Sequence, residues 1–158
     1  MSVNPIPAGY HSITPYIIVH DAQAAIEFYK QAFGATEVLR LEGPGGAIAH
    51  AEVKIGDSHV MLADEHPEFG AISAKSLGGS AGSLLIYCAD VDAMFQQALA
   101  AGGKEKRPVQ DQFYGDRSGV IEDPFGHSWS IATRTEDLSQ EEVEARFAQM
   151  MQQQQQQQ

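Results

Sequence analysis

The chain has 158 residues, 43% hydrophobic and 20% charged, a globular balance sufficient for one domain with a core of its own. Ten Lys and Arg against 21 Asp and Glu give a formal charge of −11, which argues against the basic footprint of a nucleic-acid binder. No apolar run approaches the roughly 20 residues of a membrane span, and Cys88, the sole cysteine, allows neither an intrachain disulfide nor a zinc–thiolate cluster.

Residues 1–9 carry two prolines and little pattern and read as a mobile arm, without the basic-then-apolar order of a secretory leader. With the single cysteine, this sets the expectation of a cytoplasmic protein. A β-branched run, Ile13 to Val19, predicts a strand. Asp21 caps the helix that follows, whose apolar positions are Ala22, Ala25, Ile26, Tyr29 and Phe33, and Gly34 ends it. Strand-like runs come next at Glu37–Glu42, Ala47–Ile55 and Ser58–Ala63, the last two joined by the hairpin signal Gly56-Asp57. Residues 65–82 have no period and read as a connector. The order then restarts: a strand at Ser83–Cys88, a helix capped by Asp90 or Asp92 and ended by Gly102-Gly103, then strands at Lys104–Gln110, Gly119–Glu122 and His127–Thr133. Asp123-Pro124-Phe125-Gly126 supplies the last turn. Ser139 and Glu142 form a capping box for a C-terminal helix with an apolar stripe at Leu138, Val143, Phe147 and Met150, which suits packing on the domain or on a second subunit. Gln152–Gln158 reads as a fraying polar extension.

The restart is a repeat. Sliding the chain by about 69 residues places Ile17 on Ile86, Val19 on Cys88, Asp21 on Asp90, Gly34 on Gly103 and Met61 on Ser130. One offset thus aligns first strand, helix and last strand. The expected fold is α+β: two βαβββ repeats forming an incomplete barrel around a cleft, with the helices outside. The divisions are an arm at 1–9, a single domain at 10–135 (units 10–64 and 83–135, connector 65–82), a helix at 136–151 and a glutamine tail at 152–158.

This order, the helix ending Tyr29-Lys30-Gln31-Ala32-Phe33-Gly34 and the closing Glu122-Asp123-Pro124-Phe125-Gly126-His127 resemble the vicinal oxygen chelate superfamily of glyoxalase I, bleomycin-resistance proteins and extradiol dioxygenases. Ala47-Ile48-Ala49-His50-Ala51-Glu52-Val53 and Tyr114-Gly115-Asp116-Arg117 resemble its PhnB-like members more narrowly. The resemblance implies a divalent-metal site with one ligand from the first and one from the fourth strand of each unit. Those positions fall at Thr14, Met61, Ser83 and Ser130, none of them His, Glu or Asp. Three hydroxyls and a thioether suit zinc, nickel or iron poorly, so glyoxalase I and dioxygenase activities are not expected and no cofactor is assigned. The resemblance also implies a homodimer.

Two groups of residues remain as candidates. With Gly56-Asp57 as the turn, Glu52 lies opposite Met61 and Lys54 opposite His59, so His50 and Glu52 share the cleft face with Met61. His59 stands about 13 Å along the sheet from His50, at roughly 3.3 Å per residue, too far for one ion to take both. His50 and Glu52 are therefore a polar pair in a cleft lined by Tyr16, Met61, Leu85, Tyr87 and Ser130, or an acid–base pair if the cleft is catalytic. The second group is the loop Phe113-Tyr114-Gly115-Asp116-Arg117, where Arg117 is a candidate anion clamp and the aromatics a candidate lid. The expected function is binding of a small polar or anionic molecule in the cleft without the usual metal. The alternative is a lyase or isomerase using His50 and Glu52, with a displaced divalent metal as an option. No nucleic-acid or membrane partner is expected.

Overall fold

The computed structural model describes residues 2–157; Met1 of the arm and Gln158 of the glutamine tail lie outside the described residues. The first unit runs β1 (Tyr16–Val19), α1 (Ala22–Phe33), β2 (Thr36–Glu42), β3 (Ile48–Ile55) and β4 (Ser58–Asp64). A connector carrying the short α2 (Ala74–Leu77) leads to the second unit: β5 (Ser83–Tyr87), α3 (Val91–Ala101), β6 (Lys104–Asp111), β7 (Asp116–Glu122) and β8 (Ser128–Arg134). The last helix, α4, spans Gln140–Gln155.

The repeat holds in hydrogen bonds as well as in order. Asp21 Oδ1 accepts from Ala24 N at 2.9 Å, and Asp90 Oδ1 accepts from Ala93 N at 3.0 Å, so each carboxylate satisfies one of the donors a helix start leaves free. The sheets have matching strand orders, β1-β4-β3-β2 and β5-β8-β7-β6. In each, the first strand runs parallel to the fourth, with Tyr16 opposite Met61 in one and Leu85 opposite Ser130 in the other. The match slips at the helix ends: Gly34 is the left-handed cap of α1, whereas α3 is capped by Gly102. Gly103 instead lies so close under α3 that a Cβ would meet the Ala98 carbonyl at 2.9 Å.

Helices α1 and α3 pack against each other and against the sheets. The facing side of β3, Ala51, Val53 and Ile55, is buried, as are Ile121 on β7 and Trp129 and Ile131 on β8. Burying side chains of this size contributes roughly 1.5–3 kcal/mol each. The opposite faces form the concave side. The sheets are not hydrogen-bonded to each other, so the barrel stays open. At Gly119 on β7 the helix layer comes closest: a Cβ would sit 2.7 Å from the Phe95 ring and 2.9 Å from Val109 Cγ2. Gly119→Ala is expected to lower stability by about 1–3 kcal/mol through overpacking, read as a drop in the urea midpoint at unchanged slope.

One buried polar group fastens the two units. Tyr29 of α1 donates to Asp123 Oδ2 at 2.7 Å, and Trp129 Nε1 donates to the same oxygen at 2.8 Å. Burial, and then the Asp123 carboxylate, hold the Tyr29 phenol well above its usual pKa. The unfolded chain releases that proton near pH 10 while the folded chain keeps it, so this stabilisation is complete below about pH 10 and fades as pH rises further. Stability measured across that alkaline range is expected to fall, and Tyr29→Phe to flatten the fall.

Several boundaries differ from the sequence expectation. β1 starts at Tyr16 rather than Ile13, because Pro15 has no N–H to give a ladder and Ile13 stands 85% exposed. β7 starts at Asp116, since Arg117 pairs with both Asp111 and Thr133; the aromatic loop shrinks to residues 112–115. The connector is structured: Glu65 accepts from Ser73 N at 3.0 Å, and Ser73 caps α2. Elements of three or four residues are too short to show a period. Gln152–Gln155 continue α4 rather than fray. Among the described residues no helix is long and apolar enough to cross a membrane.

Candidate functional site

On the concave face of the first sheet, β3 and β4 carry four polar side chains that alternation sends to one side: His50, Glu52 and Lys54 from β3 and His59 from β4. The register is the expected one, Glu52 opposite Met61 and Lys54 opposite His59. His50 and Glu52 nevertheless have separate partners. Tyr16 Oη lies 2.9 Å from His50 Nδ1, at the half-exposed end of the sheet. Glu52, only 3% exposed, accepts from Tyr10 Oη, and His59 Nδ1 stands 2.8 Å from the same carboxylate oxygen. That oxygen lies off the ring's N–H direction, so His59 Nδ1 has no directed hydrogen bond. Tyr10 lies flat on His59, with ring centroids 3.9 Å apart and planes 14° apart. The hydrogen bond to Glu52, then desolvation, raises the Tyr10 pKa; desolvation alone raises that of Tyr16.

The second sheet answers with a similar pair. Tyr87 of β5 donates to Asp116 Oδ2 at 2.7 Å, and that bond, ahead of desolvation, raises its pKa. Asp116, Ser118 and Val120 alternate onto the concave face of β7, and Ser130 sits opposite Val120 on β8. Between the units lies a cavity of about 660 Å³ whose lining includes His59 and Val60 from one side and Leu85 and Tyr87 from the other, with Thr14 between. A neighbouring cavity of about 380 Å³ is roofed by Pro5, Ile6 and Pro7 of the arm and reaches Tyr10 and Met61. This volume range and mixed lining suit a small organic ligand.

The predicted loop residues are placed elsewhere. Arg117 points to the helix side of β7, where Nε and Nη2 grip Asp92 at 2.8 and 2.9 Å and Nη1 reaches Asp111 at 3.2 Å. These carboxylates hold its pKa above the ordinary arginine value. An anion would have to displace both, so the clamp expected of Arg117 is corrected to a strap between β6, β7 and α3. Arg117→Ala is expected to leave ligand retention at the wild-type level while lowering the thermal midpoint slightly, more at low salt than at high. Phe113 packs on Tyr114 at 5.1 Å and on Phe147 of α4 at 5.6 Å. Its carbonyl accepts from Arg146, so Phe113 belongs to the α4 junction, whereas Tyr114 stays half-exposed and near enough to Tyr87 to add to the rise of that residue's pKa.

Sequence reasoning missed Tyr10, His59 and Asp116. The signal for His59 was present in the register: a residue opposite Lys54 is the diagonal neighbour of Glu52. Asp116 was hidden by the late start assigned to β7. Tyr10 had no signal, because nothing in an irregular arm says where its side chain lands.

The donor set does not fit the metal that the resemblance implies. Thr14 precedes β1, Ser83 pairs with Ser128, and the four positions offer hydroxyls and a thioether where a divalent ion needs imidazole or carboxylate. His50 and Glu52 face different tyrosines. Among the described residues no cluster of three His, Cys, Asp or Glu is arranged around a common point.

A family model described as the Glyoxalase/Bleomycin resistance protein/Dioxygenase superfamily matches residues 9–131. The chain belongs to that superfamily. An uncharacterized protein of Mycobacterium tuberculosis is 39% identical over 148 residues, covering 92% of this chain and 85% of that one. An uncharacterized protein of Arabidopsis thaliana is 27% identical over 127 residues, 76% of each. Among solved structures, TioX from Micromonospora sp. ML1 matches with a TM-score of 0.62 at 23% identity, covering 82% of this chain and 100% of that one. A PhnB protein from Bacillus cereus, described as a putative 3-demethylubiquinone-9 3-methyltransferase, matches at 0.61 and 21%, covering 78% and 99%. These structural likenesses place this glyoxalase-superfamily chain by fold.

Proposed function

We propose that this chain is a small-molecule-binding member of its superfamily, holding a polar, neutral or cationic ligand in the cleft between the two sheets without the four-ligand metal site. The observation that carries this is the 660 Å³ cavity lined from both units, by His59 of one and Tyr87 of the other, each of which contacts a carboxylate, Glu52 and Asp116 respectively. An anionic ligand has less support: Glu52 and Asp116 lie on the cleft faces against the single cation Lys54 on β3, Arg117 is held by Asp92 and Asp111, and the chain carries a formal charge of −11. The exposed apolar side chains Tyr16, Leu39, Leu41, Leu85 and Tyr87 on the strands also favour a second copy against this side, since patches of this kind mark interaction surfaces. Sedimentation of the purified protein checks that.

The test of binding is unbiased. Full-length protein isolated from cells is expected to carry a compound that mass spectrometry identifies, and Tyr87→Ala is expected to lose it. Retention unaffected by Tyr87→Ala would move the site out of the cleft. Lyase or isomerase chemistry is a second reading favoured by one observation, the approach of His59 to the buried Glu52 at 2.8 Å, a carboxylate–imidazole pair of the type that shuttles protons. The acid partner would then be His59 rather than His50.

A further inference from the structure

The contact between Tyr10 and the Glu52–His59 pair is unusual in where its two halves come from. Glu52 and His59 are on adjacent strands, with side chains 4% and 9% exposed. Tyr10 comes from residues 2–10, a segment that belongs to neither sheet. Among the described residues, its one backbone hydrogen bond is internal, from Tyr10 N to the Pro7 carbonyl. The phenol is therefore the arm's main polar fastening to the domain. Beneath it, His59 Nδ1 is buried without a directed partner and Glu52 offers its carboxylate to whatever lies on the imidazole. His11 and Thr14 line both cavities and so stand between the 660 Å³ and 380 Å³ spaces, with Tyr10 on the side of the smaller one and His59 on the side of the larger.

A flat imidazole floor with a carboxylate at its far edge is a complementary slot for a planar ring bearing a hydroxyl donor. Ring-on-ring contact contributes through stacking, and O–H to carboxylate is among the stronger hydrogen bonds. Tyr10 meets both requirements because it is itself a phenol. We infer that the slot formed by His59 and Glu52 is a ligand subsite selective for phenolic compounds, and that Tyr10 fills it as a resident stand-in which such a ligand displaces. This rests on the small-molecule reading of the cleft and adds to it the ligand class, the residues that read it and the segment that must move. Displacement of Tyr10 uncovers the ring of His59, which lines the 660 Å³ cavity, and gives the rest of the ligand room beyond its ring. Competition by a tethered phenol also sets the affinity: the ligand's intrinsic affinity is scaled down by the fraction of time the arm is unseated.

The probes are p-cresol, which reproduces the tyrosine side chain, and toluene, which has the same ring without the hydroxyl. Titrations use the full-length chain. p-Cresol is expected to bind the Tyr10→Ala variant about tenfold or more tighter than the wild type, because the internal competitor is gone, and about tenfold or more tighter than toluene binds that variant. Adding Glu52→Gln to Tyr10→Ala is expected to narrow the difference between the two probes. In wild-type protein labelled with nitrogen-15, saturating p-cresol is expected to drop the heteronuclear NOEs of Ala8 and Gly9 to values of free chain ends, a readout that does not depend on the variant folding. Equal binding of toluene and p-cresol overturns the inference, since a mere hole left by the missing ring does not select a hydroxyl. Wild-type NOEs unchanged when p-cresol is bound overturn it as well. If p-cresol fails while a compound from cells is still lost in Tyr87→Ala, the slot falls and the cleft reading stands. If p-cresol displaces the arm and no cellular compound depends on Tyr87, the slot stands and the cleft reading falls.

Discussion

Asp123→Ala is expected to remove about 3–5 kcal/mol of stability, the cost typical of deleting one partner of a buried charged network. Asp123 is 2% exposed and accepts four hydrogen bonds. Oδ1 takes the backbone N–H groups of Phe125 and His127, each at 2.9 Å, which shapes the turn into β8. Oδ2 takes Tyr29 Oη and Trp129 Nε1. Truncation strands all four donors among Phe28, Phe33 and Phe125, where the aromatic packing leaves little route for water. Asp123→Asn separates the two roles. Its single carbonyl oxygen can serve the backbone pair or the aromatic pair but not both, so a loss of about 1–3 kcal/mol is expected. Tyr29→Phe removes a donor and strands none, and about 1 kcal/mol should go. The measurement is urea unfolding followed by the fluorescence of Trp129, the chain's one tryptophan. A loss below 1 kcal/mol for Asp123→Ala would show that water reaches the network. Because Tyr29 comes from the first unit and Trp129 from the second, the same measurement tests whether the units unfold together.

Asp123 also shows what a sequence displays and what it withholds. Asp-Pro-Phe-Gly announces a turn because each residue has a local reason to be there. That the carboxylate also reaches a tyrosine 94 residues away is a tertiary fact with no local trace. The same division runs through the cleft. Strand alternation and the Gly56-Asp57 hairpin were enough to place Glu52, His50 and Met61 on one face, because side-chain period and turn length determine register. They left open which partner each polar group chooses. Arg117 illustrates the opposite failure. An arginine beside two aromatics has the composition of an anion site, but a strand residue faces one side only, and the pairing of β7 turned this one toward Asp92. Starting β7 at Asp116 would have revealed it, since Arg117 then shares the face of Gly119 and Ile121, the helix face. The internal repeat was legible for a different reason: it is a long-range pattern written in many positions at once, and caps and register preserve it even where identities do not.

Glu52→Leu is expected to separate function from stability. A buried carboxylate carries a desolvation cost, and an apolar residue of similar size often replaces one without net loss. Its partners soften the change here. Tyr10 is on the arm and can return its hydroxyl to water, while His59 keeps Lys54 as its cross-strand neighbour and needs only a small opening to be solvated. The folding free energy should therefore move by no more than about 1 kcal/mol in either direction. Ligand retention should fall far more, by about ten- to a hundredfold, because the ligand's donor loses its charged acceptor with nothing in the slot to replace it. The arm should loosen in the same variant, visible as lower heteronuclear NOEs at Ala8 and Gly9 without any ligand. Glu52→Gln keeps an acceptor for Tyr10 and should hold the arm nearer its wild-type state while still weakening the ligand. If Glu52→Leu unfolds the protein and leaves retention intact in what remains folded, Glu52 is a structural brace for β3 and β4. If it leaves the fold intact and empties the cleft, the carboxylate was kept buried at an energetic cost for what it recognises.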